Sequence, residues 1–286
     1  MQVRVAVVIL ARNEEKFLGT TLSSLLAQEL RPVKIIVVND GSTDKTTEVA
    51  LRYDGVEVID MQERRNYSAL AHPELAKVIN RGLDYLRESV EGDIVNLNYN
   101  ESNKIKYEYV LILAADHVLP CNYISAIIGE MEKDSTIAIC SGVIEGEKSN
   151  IFVPRGSGRI VRTEFWEKIG FRYPVKFGYE TYLLIKALQL GYRNIVLQNL
   201  ISTTQRKTGG NYGKKTYVGQ GKALKALGTS IPYCIINIGR RALNNPLAAI
   251  YMLQGYLSKD VELHEADFRK YLRIIQNRRL RQHLGL

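Results

Sequence analysis

The N-terminal part of the chain alternates short apolar runs with segments of helical periodicity. Residues 3–10 form an almost unbroken run rich in valine and isoleucine, as expected of a parallel strand covered on both faces. Apolar residues then recur at helical spacing between residues 14 and 28, and a second apolar run covers residues 35–38. Parallel strands are joined by right-handed helical crossovers, so this pattern predicts an α/β fold with a mostly parallel sheet flanked by helices.

The same alternation continues to about residue 200. We predict helices near residues 43–53, 75–86, 122–133 and 179–190, and strands near 56–59, 109–113, 136–144, 151–153 and 194–197. The polar stretch 91–106 is expected to be an exposed excursion. From about residue 212 the segments become basic, amphipathic and helical. The predicted organisation is one α/β domain over residues 1–211 and a basic helical extension over residues 212–286.

Composition excludes several classes of protein. The 286 residues are 45% hydrophobic and 24% charged, which is an ordinary globular composition and argues against a disordered or collagen-like chain. The three cysteines, at positions 121, 140 and 234, cannot all pair, and none lies in a C-x-x-C motif. This pattern argues against a disulfide framework or a structural zinc site and favours a reducing, cytoplasmic location.

Membrane-spanning and targeting segments are not expected. A spanning helix needs about 20 apolar residues, whereas the best candidate, residues 246–257, is much shorter. The first apolar run is interrupted by Arg4 and ended by Arg12, and no small-residue cleavage site follows it. It is therefore interpreted as a buried strand and not as a signal peptide.

Positive charge is concentrated at the C-terminal end. Residues 200–286 contain 15 Lys and Arg against 4 Asp and Glu, within a chain whose net charge is +9. Such a segment suits an anionic partner, either nucleic acid, an acidic membrane surface or a phosphorylated substrate. An ordinary solvated surface of lysines and arginines is an equally good interpretation.

Three polar clusters follow predicted strands. They cover residues 11–14, 39–42 and 115–117. Ligands of open α/β sheets bind outside the carboxyl ends of the strands, so the clusters are expected to meet in one crevice although they are distant in sequence. One acidic residue at a strand end is usually only a helix cap, but three clusters on one edge favour a binding site.

The sequence lacks the glycine-rich loops that usually bind phosphate groups in such a crevice. Neither a P-loop nor a G-x-G-x-x-G motif follows the first strand, and the G-x-G at residues 156–158 is too short to count as one. A bound diphosphate would therefore depend on a metal ion or on basic side chains. Asp116 is an oxygen ligand suited to Mg²⁺ or Mn²⁺, and His117 is a candidate further ligand that would favour Mn²⁺. The alternative for His117 is a surface histidine at a helix start.

Several segments of the sequence resemble a known family. The segments VAVVILARNEEKFLGTTLSSLLAQ and KIIVVNDGSTDKT resemble the opening of the family 2 glycosyltransferases, whose GT-A fold binds nucleotide sugars. YVLILAADHVLP is similar to the family's strand that ends in the D-x-D metal motif. EFWEKIG and GYETYLLIKALQLGYR resemble the later region that carries the catalytic base. The resemblance covers roughly residues 3–200.

The resemblance implies roles for particular residues. Asp40 matches the acidic residue that accepts a hydrogen bond from the nucleotide base, and Asp116 matches the last Asp of D-x-D. Glu180 matches the general base. The implied donor-nucleotide site comprises Ala11, Arg12, Glu14, Asp40, Ala115, Asp116 and Arg206. Asp116 is the implied metal ligand, and His117 remains the candidate further ligand.

Three positions depart from the family's pattern. Ala114 stands in place of the first Asp of D-x-D, Glu180 replaces the commoner Asp, and Ile79 occupies a position that is often Arg. Arg206 and Lys207 lie where family members often have a mobile loop, and they are candidates to contact the diphosphate instead.

The implied activity is transfer of a sugar, with inversion, from a nucleoside diphosphate sugar to an acceptor. UDP is favoured over GDP, and the acceptor is expected to be a glycan hydroxyl or a lipid-linked phosphate or hydroxyl. The alternatives are a catalytically degenerate nucleotide-sugar-binding protein and a sugar-phosphate nucleotidylyltransferase, whose Gly-rich first loop is missing. A basic nucleic-acid-binding module is a further alternative, but no recognisable motif supports it, so no nucleic-acid partner is expected.

The C-terminal helices raise a separate expectation. Residues 231–257 are amphipathic, basic and rich in aromatic residues, which suits peripheral contact with an anionic bilayer, the inner face of the cell membrane, through residues 231–286. The alternatives are packing on the main domain or on a second subunit of a homodimer.

Overall fold

The computed structural model describes residues 3–61, 72–95, 107–206 and 213–284. These residues fall into two compact units. The first comprises residues 3–61, 78–95, 107–172 and 191–206, and the second comprises residues 72–77, 173–190 and 213–284. The predicted boundary between residues 211 and 212 lies outside the described residues and stays a prediction.

The first unit is built on one mixed sheet. Its described strands are β1 Val5–Ala11, β2 Lys34–Asn39, β3 Val56–Asp60, β4 Tyr109–Ala114, β5 His117–Val118, β6 Ile137–Ile144, β7 Arg159–Arg162 and β8 Arg193–Thr204. They are arranged in the order β3-β2-β1-β4-β7-β6-β8-β5. The strands β3, β2, β1 and β4 pair in parallel, whereas β7 is antiparallel to both β4 and β6. The predicted α/β fold with a mostly parallel sheet and flanking helices is confirmed.

The helices account for most of the remaining chain. In the first unit they are α1 Leu18–Leu26, α2 Thr46–Ala50, α4 Tyr123–Lys133 and α5 Thr163–Lys168. Helix α3, Glu74–Val95, has residues assigned to both units. The second unit contains α6 Tyr179–Gln189, α7 Lys214–Ala226, α8 Ile231–Asn244, α9 Pro246–Leu257 and α10 Ala266–Leu284.

The core of the first unit explains why the N-terminal segment folds as a strand and a helix. One face of β1 places Val5, Val7 and Ile9 fully out of contact with water. They belong to the same buried cluster as the leucines of α1, Leu18, Leu22 and Leu25, which recur at helical spacing. On the opposite face Ala6 and Val8 are fully buried as well, so both faces of β1 are covered and the unbroken apolar run is required.

One sequence-based assignment in this unit is wrong, and strand β7 was not predicted. The predicted strand at residues 151–153 is a turn, because the side chain of Asn150 accepts a hydrogen bond from the Phe152 N–H at 3.0 Å. The strand lies at β7 instead. The sequence of β7, RIVR, lacks the apolar pattern that predicts a buried strand. Arg159 is nevertheless buried, and it donates hydrogen bonds to the backbone carbonyls of Arg155 and Pro154.

The polar stretch 91–106 is only partly described. Helix α3 continues through Val95, beyond its predicted end at residue 86, and residues 96–106 lie outside the described residues. The expectation of an exposed excursion therefore stays a prediction.

The helical character predicted for the C-terminal residues is confirmed. Helices α7 and α9 pack with their backbones in close contact, because each contributes a glycine at the crossing. A Cβ atom on Gly221 would lie 1.9 Å from the Met252 carbonyl oxygen, and one on Gly255 would lie 2.0 Å from the Val218 carbonyl oxygen. Only glycine permits this approach, so the two positions fix how α9 is rotated against α7.

A second cluster of the same unit joins α6 to α10. The ring of Tyr182 stacks on His264 with a centroid separation of 4.8 Å and contacts Phe268 at 4.6 Å. Leu227 and Leu272 complete the buried group. These contacts hold the first turns of α6, where Glu180 lies, against the C-terminal helix.

The described helices include none that is long and apolar enough to cross a bilayer. All three cysteines are free thiols, with Cys121 exposed and Cys140 and Cys234 buried.

We call the close contact of α7 and α9 at Gly221 and Gly255 the glycine crossing. It can be tested by substitution. Gly255→Ala would force the α7 and α9 backbones apart and is expected to destabilise the fold by about 1–3 kcal/mol, as overpacking does. Gly239→Ala in α8 is the matched control, because an added Cβ there meets nothing within 4 Å. It should be neutral or stabilising by about 0.5–1 kcal/mol, since alanine is the better helix former. Urea unfolding of the two variants measures both values, and equal stability of the two would contradict the glycine crossing.

Candidate functional site

Strand register places the polar clusters on one edge of the first unit. Ala11 of β1 pairs with Asn39 of β2, and Leu10 pairs with Ala114 of β4. The three parallel strands therefore end at the same level, and the residues that follow each of them emerge side by side. The predicted meeting of the clusters holds within this unit.

The turns after β1 and β2 are joined by hydrogen bonds. Asn13 has a φ of 55°, which asparagine tolerates better than most residues, and its side-chain oxygen accepts a hydrogen bond from the Thr43 N–H at 2.8 Å. The Asn13 N–H donates to the Ser42 hydroxyl at 3.0 Å, and the Glu14 N–H donates to the Thr46 hydroxyl at 2.8 Å. These bonds fix the backbone from which Arg12 and Glu14 project.

Asp40 is held at the start of the second turn. Its N–H donates to the Ala11 carbonyl at 2.9 Å, and its carboxylate Oδ2 lies 3.8 Å from Nη1 of Arg12. The Asp40 side chain is buried, whereas that of Arg12 is partly exposed. The pair thus presents a carboxylate beside a guanidinium at the sheet edge, where a ligand could form hydrogen bonds with both.

The third cluster is anchored from two sides. The Ala115 N–H donates to the Leu10 carbonyl at 3.2 Å, and the Ala115 carbonyl accepts a hydrogen bond from the Thr21 hydroxyl at 2.8 Å. The next carbonyl, of Asp116, accepts from the Gln205 N–H at 2.9 Å. The backbone that carries the Asp116 side chain is therefore fixed between β1 and the end of β8.

Arg206 links two of the clusters. Its Nε donates to Oδ2 of Asp116 at 2.9 Å, and its Nη2 donates to Oε1 of Glu14 at 2.6 Å. The guanidinium also lies 4.9 Å from the centre of the Phe17 ring. One half-exposed cation therefore bridges two carboxylates that are 102 positions apart in the sequence. We call Arg206, Glu14 and Asp116 the arginine clasp.

Glu14 is the more buried carboxylate of the arginine clasp. Burial raises the pKa of its carboxyl above the ordinary value of 4.5, although the hydrogen bond and the charge of Arg206 oppose that shift. Its second oxygen, Oε2, is buried and has no hydrogen-bond partner among the described residues. A buried oxygen without a donor is costly unless a ligand or an ion supplies the missing contact.

His117 occupies a different environment from the one predicted for a metal ligand. The side chain is fully buried, its Nδ1 lies 2.7 Å from the Ser157 hydroxyl, and its Nε2 lies 2.8 Å from the Ser202 hydroxyl. Burial lowers the pKa of His117 to about 4, with the nearby Asp116 acting in the opposite direction. At neutral pH the imidazole is therefore uncharged.

The serine contacts assign the tautomer of this histidine. Ser202 donates its hydroxyl proton to the Val143 carbonyl, so it can only accept from Nε2–H of His117. Ser157 accepts from the Ala114 N–H and so donates to Nδ1. Both ring nitrogens are occupied, which leaves none for a metal ion in this arrangement. Sequence reasoning missed this role of Ser157, whose only signal was its place between two glycines.

The oxygen donors at the edge suit a hard divalent cation only in part. The described residues contain no group of three or more His, Cys, Asp or Glu side chains placed to hold a metal ion. Ala114 supplies no carboxylate, and the Asp116 carboxylate is engaged by Arg206. Asp116 and Glu14 would be the ligands available to Mg²⁺ or Mn²⁺ if the guanidinium moved away.

The remaining candidate residues lie elsewhere. Glu180 is in the first turn of α6, in the second unit, and its role stays a prediction. Ile79 is buried in α3. Lys207 lies outside the described residues.

Comparison with known proteins agrees with this geometry. Residues 6–71 match the family model described as glycosyl transferase family 2. Over 55 residues the chain is 51% identical to the 4,4'-diaponeurosporenoate glycosyltransferase of Staphylococcus aureus strain USA300, and the same identity is found in strain NCTC 8325 / PS 47. The match covers 19% of this chain and 14% of the relative's length. The chain thus shares a short segment with these relatives and not their whole length.

Solved structures resemble the chain over most of its length. A complex of S. aureus TarS residues 1–349 with UDP has a TM-score of 0.54 and 16% identity, covering 96% of this chain and 71% of that one. The mannosyltransferase PcManGT from Pyrobaculum calidifontis, in complex with GDP-Man and Mn²⁺, has a TM-score of 0.59 and 17% identity. That match covers 99% of this chain and 81% of the other. At these identities the likeness establishes the fold, and the family match over residues 6–71 confirms the resemblance drawn from the two N-terminal motifs.

The buried neutral histidine predicts a pH dependence of stability. An unfolded His117 takes up a proton near its ordinary pKa of 6.5, whereas the folded residue resists protonation until about pH 4. The unfolded chain therefore binds more protons in this range, and stability falls as the pH drops from 6.5 to 4, by about 1.4 kcal/mol per unit at the steepest. Urea unfolding of the wild type and of His117→Gln across this range isolates the contribution of His117. A variant whose pH profile runs parallel to that of the wild type would contradict the assignment.

Proposed function

We propose that this chain, which matches the family 2 glycosyltransferases in its N-terminal sequence and its fold, transfers a sugar from a nucleoside diphosphate sugar to an acceptor. The observation that carries the proposal is the convergence of Asp40, Arg12 and the arginine clasp on one sheet edge. Support comes from the structural neighbours, since TarS is known in complex with UDP and UDP-GlcNAc, and PcManGT in complex with GDP-Man.

Asp40 is proposed to recognise the nucleotide base. Its carboxylate is buried beside Arg12 and can accept a hydrogen bond from a base N–H, whereas a base edge that offers only acceptors would be rejected. Uracil and guanine both carry a suitable N–H, and we propose uridine as the nucleoside. Ala11 and Ala115, both buried at strand ends, would form the floor on which the nucleotide lies.

Arg206 is proposed to contact the diphosphate of the donor. Its guanidinium is half exposed and already engages two carboxylates, so a diphosphate oxygen could replace one of them without leaving a buried cation unpaired. Breakage of the bond between the sugar and the diphosphate builds negative charge on the leaving group, and a fixed guanidinium stabilises that charge. This contact would compensate for the missing carboxylate at Ala114.

A divalent cation, Mg²⁺ or Mn²⁺, is proposed to bind at Asp116 and Glu14 in competition with Arg206. When bound, such an ion supplies Lewis-acid stabilisation of the leaving diphosphate. The unpartnered buried Oε2 of Glu14 favours this assignment, because an oxygen without a donor is a ready ligand for a cation. Glu14 and Asp116 therefore have two candidate partners, an internal guanidinium and an external ion.

Glu180 is proposed as the general base. It would take the proton from the acceptor hydroxyl, or orient an acceptor that is already anionic, as the acceptor attacks the anomeric carbon from the side opposite the diphosphate. The product sugar is then inverted in a single displacement. The acceptor is proposed to be a glycan or a lipid-linked group, with residues 1–211 supplying the donor site and residues 212–286 forming a basic helical extension.

A second candidate function is binding of a nucleotide sugar without transfer. The specific observation that favours it is the arginine clasp itself, because Arg206 holds Asp116 where the family's pattern has a pair of carboxylates. The two functions differ in a single measurable respect, namely whether the donor is consumed.

The role of Glu180 can be tested by removing its charge with little change in shape. Glu180→Gln is expected to slow sugar transfer by about 10²–10⁴-fold, the range of a positioned base, while the affinity for the donor nucleotide is retained. Glu262→Gln, at an exposed position of the second unit, is the matched control and should leave the rate unchanged. Transfer is followed by release of the nucleoside diphosphate. Full activity of Glu180→Gln would remove it from the mechanism.

The competition at the arginine clasp predicts opposite effects on two ligands. Arg206→Ala should weaken nucleoside diphosphate binding by about tenfold or more in the presence of chelator, because a charge-assisted hydrogen bond is lost. The same change frees Asp116, so the affinity for Mn²⁺ should rise. Isothermal titration calorimetry measures both affinities.

Arg172→Ala is the control for this comparison. Arg172 is a half-exposed arginine of the same unit that forms an ion pair with Asp84 at 2.9 Å, and its removal should alter neither affinity. An Arg206→Ala protein that binds both ligands as the wild type does would contradict the role proposed for the clasp.

A further inference from the structure

Helix α9 exposes most of its large apolar side chains, which is the reverse of the pattern of an ordinary surface helix. Its small residues Ala248, Ala249 and Gly255 are buried together with Met252, whereas its leucine and isoleucine side chains are exposed. The exposed set, Leu247, Ile250, Leu253 and Leu257, recurs every three or four positions and so forms one stripe along the helix. The exposed fraction reaches 60% at Ile250 and 66% at Leu257.

The packing within the second unit fixes this orientation. Gly221 of α7 and Gly255 of α9 let the two backbones touch, and no side chain larger than hydrogen fits at either position. Rotation of α9 to bury its leucines would drive those larger side chains into the α7 backbone. The outward stripe is therefore a consequence of the glycine crossing and cannot be relieved within this helix pair.

The preceding helix adds to the exposed apolar surface. Ile231, Ile235 and Leu243 of α8 are exposed, with Leu243 at 87% the most exposed of the large apolar side chains described. Only Asn245 separates α8 from α9, and its side chain caps α9 by accepting a hydrogen bond from the Ala248 N–H at 3.0 Å. We call residues 231–257 the apolar hairpin. Exposed large apolar side chains that recur on two consecutive helices point to an interaction surface.

The charge around the apolar hairpin identifies its partner. Residues 213–257 contain six Lys and Arg and no Asp or Glu. Two of these cations lie over tyrosine rings of neighbouring helices, Lys214 at 5.4 Å from the centre of the Tyr251 ring and Arg241 at 5.7 Å from that of Tyr217. Lys222 pairs with Asp260 at 2.8 Å, and the segment still carries a net positive charge. A surface with net positive charge repels a second copy of itself. It attracts an anionic surface that also accepts apolar side chains.

We propose that the apolar hairpin binds the surface of an anionic lipid bilayer, with α8 and α9 lying in the interface and their apolar side chains among the acyl chains. Helix α9 is 12 residues long, which is too short to span a bilayer but ordinary for a helix that lies in its surface. Arg240 and Arg241 would pair with lipid phosphates. This inference does not depend on the proposed sugar transfer.

The test is co-sedimentation of the 286-residue chain with vesicles. Two compositions are compared, phosphatidylcholine alone and phosphatidylcholine with about one third phosphatidylglycerol, which gives the membrane a negative surface potential. The wild type is expected to bind the anionic vesicles at least tenfold more tightly than the neutral ones, and added salt should weaken that binding.

Two double variants separate the apolar from the electrostatic contribution. Leu247→Glu with Ile250→Glu should reduce binding to anionic vesicles by more than tenfold, because two apolar anchors are replaced by negative charges. Arg240→Gln with Arg241→Gln should reduce it by roughly tenfold and abolish the preference for phosphatidylglycerol. Leu51→Glu is the matched control, since Leu51 is a 64% exposed apolar residue of the first unit and should have no effect.

Two outcomes would overturn the proposal. One is that the Leu247→Glu, Ile250→Glu protein, shown by circular dichroism to be folded, sediments with anionic vesicles as the wild type does. The other is that the wild type binds no vesicles and light scattering shows a dimer that the same double variant dissociates, which would assign the apolar hairpin to a second copy of the chain. Thermal unfolding in the presence of a nucleoside diphosphate, measured in parallel, reports on the donor site separately.

Discussion

The candidate site depends on the parallel register of β2, β1 and β4. Because these strands end at the same level, with Ala11 beside Asn39 and Leu10 beside Ala114, the turns that follow them are adjacent. Side chains alternate between the two faces of a strand, so a slip of one residue would exchange the buried and the outward positions. The apolar faces that pack on α1 prevent such a slip, and the core thereby determines where the carboxylates of the site lie.

Charge balance at this edge rests on the arginine clasp. Two carboxylates, one of them buried with its pKa raised by burial, share a single half-exposed guanidinium. A cation stabilises such a pair of carboxylates in the charged form, and the chain supplies one from the residues that follow β8. A ligand that brings phosphate oxygens or a divalent ion would redistribute these contacts instead of creating them, which is how a site with Ala114 in place of a carboxylate can still serve a diphosphate.

Local patterns in the sequence predict part of this structure. The strands β1, β2 and β4, the helix α1 and the polar residues at the strand ends follow from apolar runs and their periodicity. What escapes prediction depends on distant partners. Arg206 is 192 positions from Glu14, and His117 is neutralised by serines 40 and 85 positions away. The strand β7 is hidden by a buried arginine, and the outward stripe of α9 depends on a glycine in another helix.

The central claim is that the sheet edge binds a nucleoside diphosphate. Thermal unfolding with UDP, GDP, CDP or TDP, each with Mn²⁺, Mg²⁺ or chelator, tests it most directly, since a ligand at 100 times its Kd stabilises by about 2.7 kcal/mol. We expect stabilisation by UDP that is lost in Asp40→Ala and retained in Asp54→Ala, an exposed acid of the same unit. No stabilisation by any of the four nucleotides, with or without metal, would contradict the account.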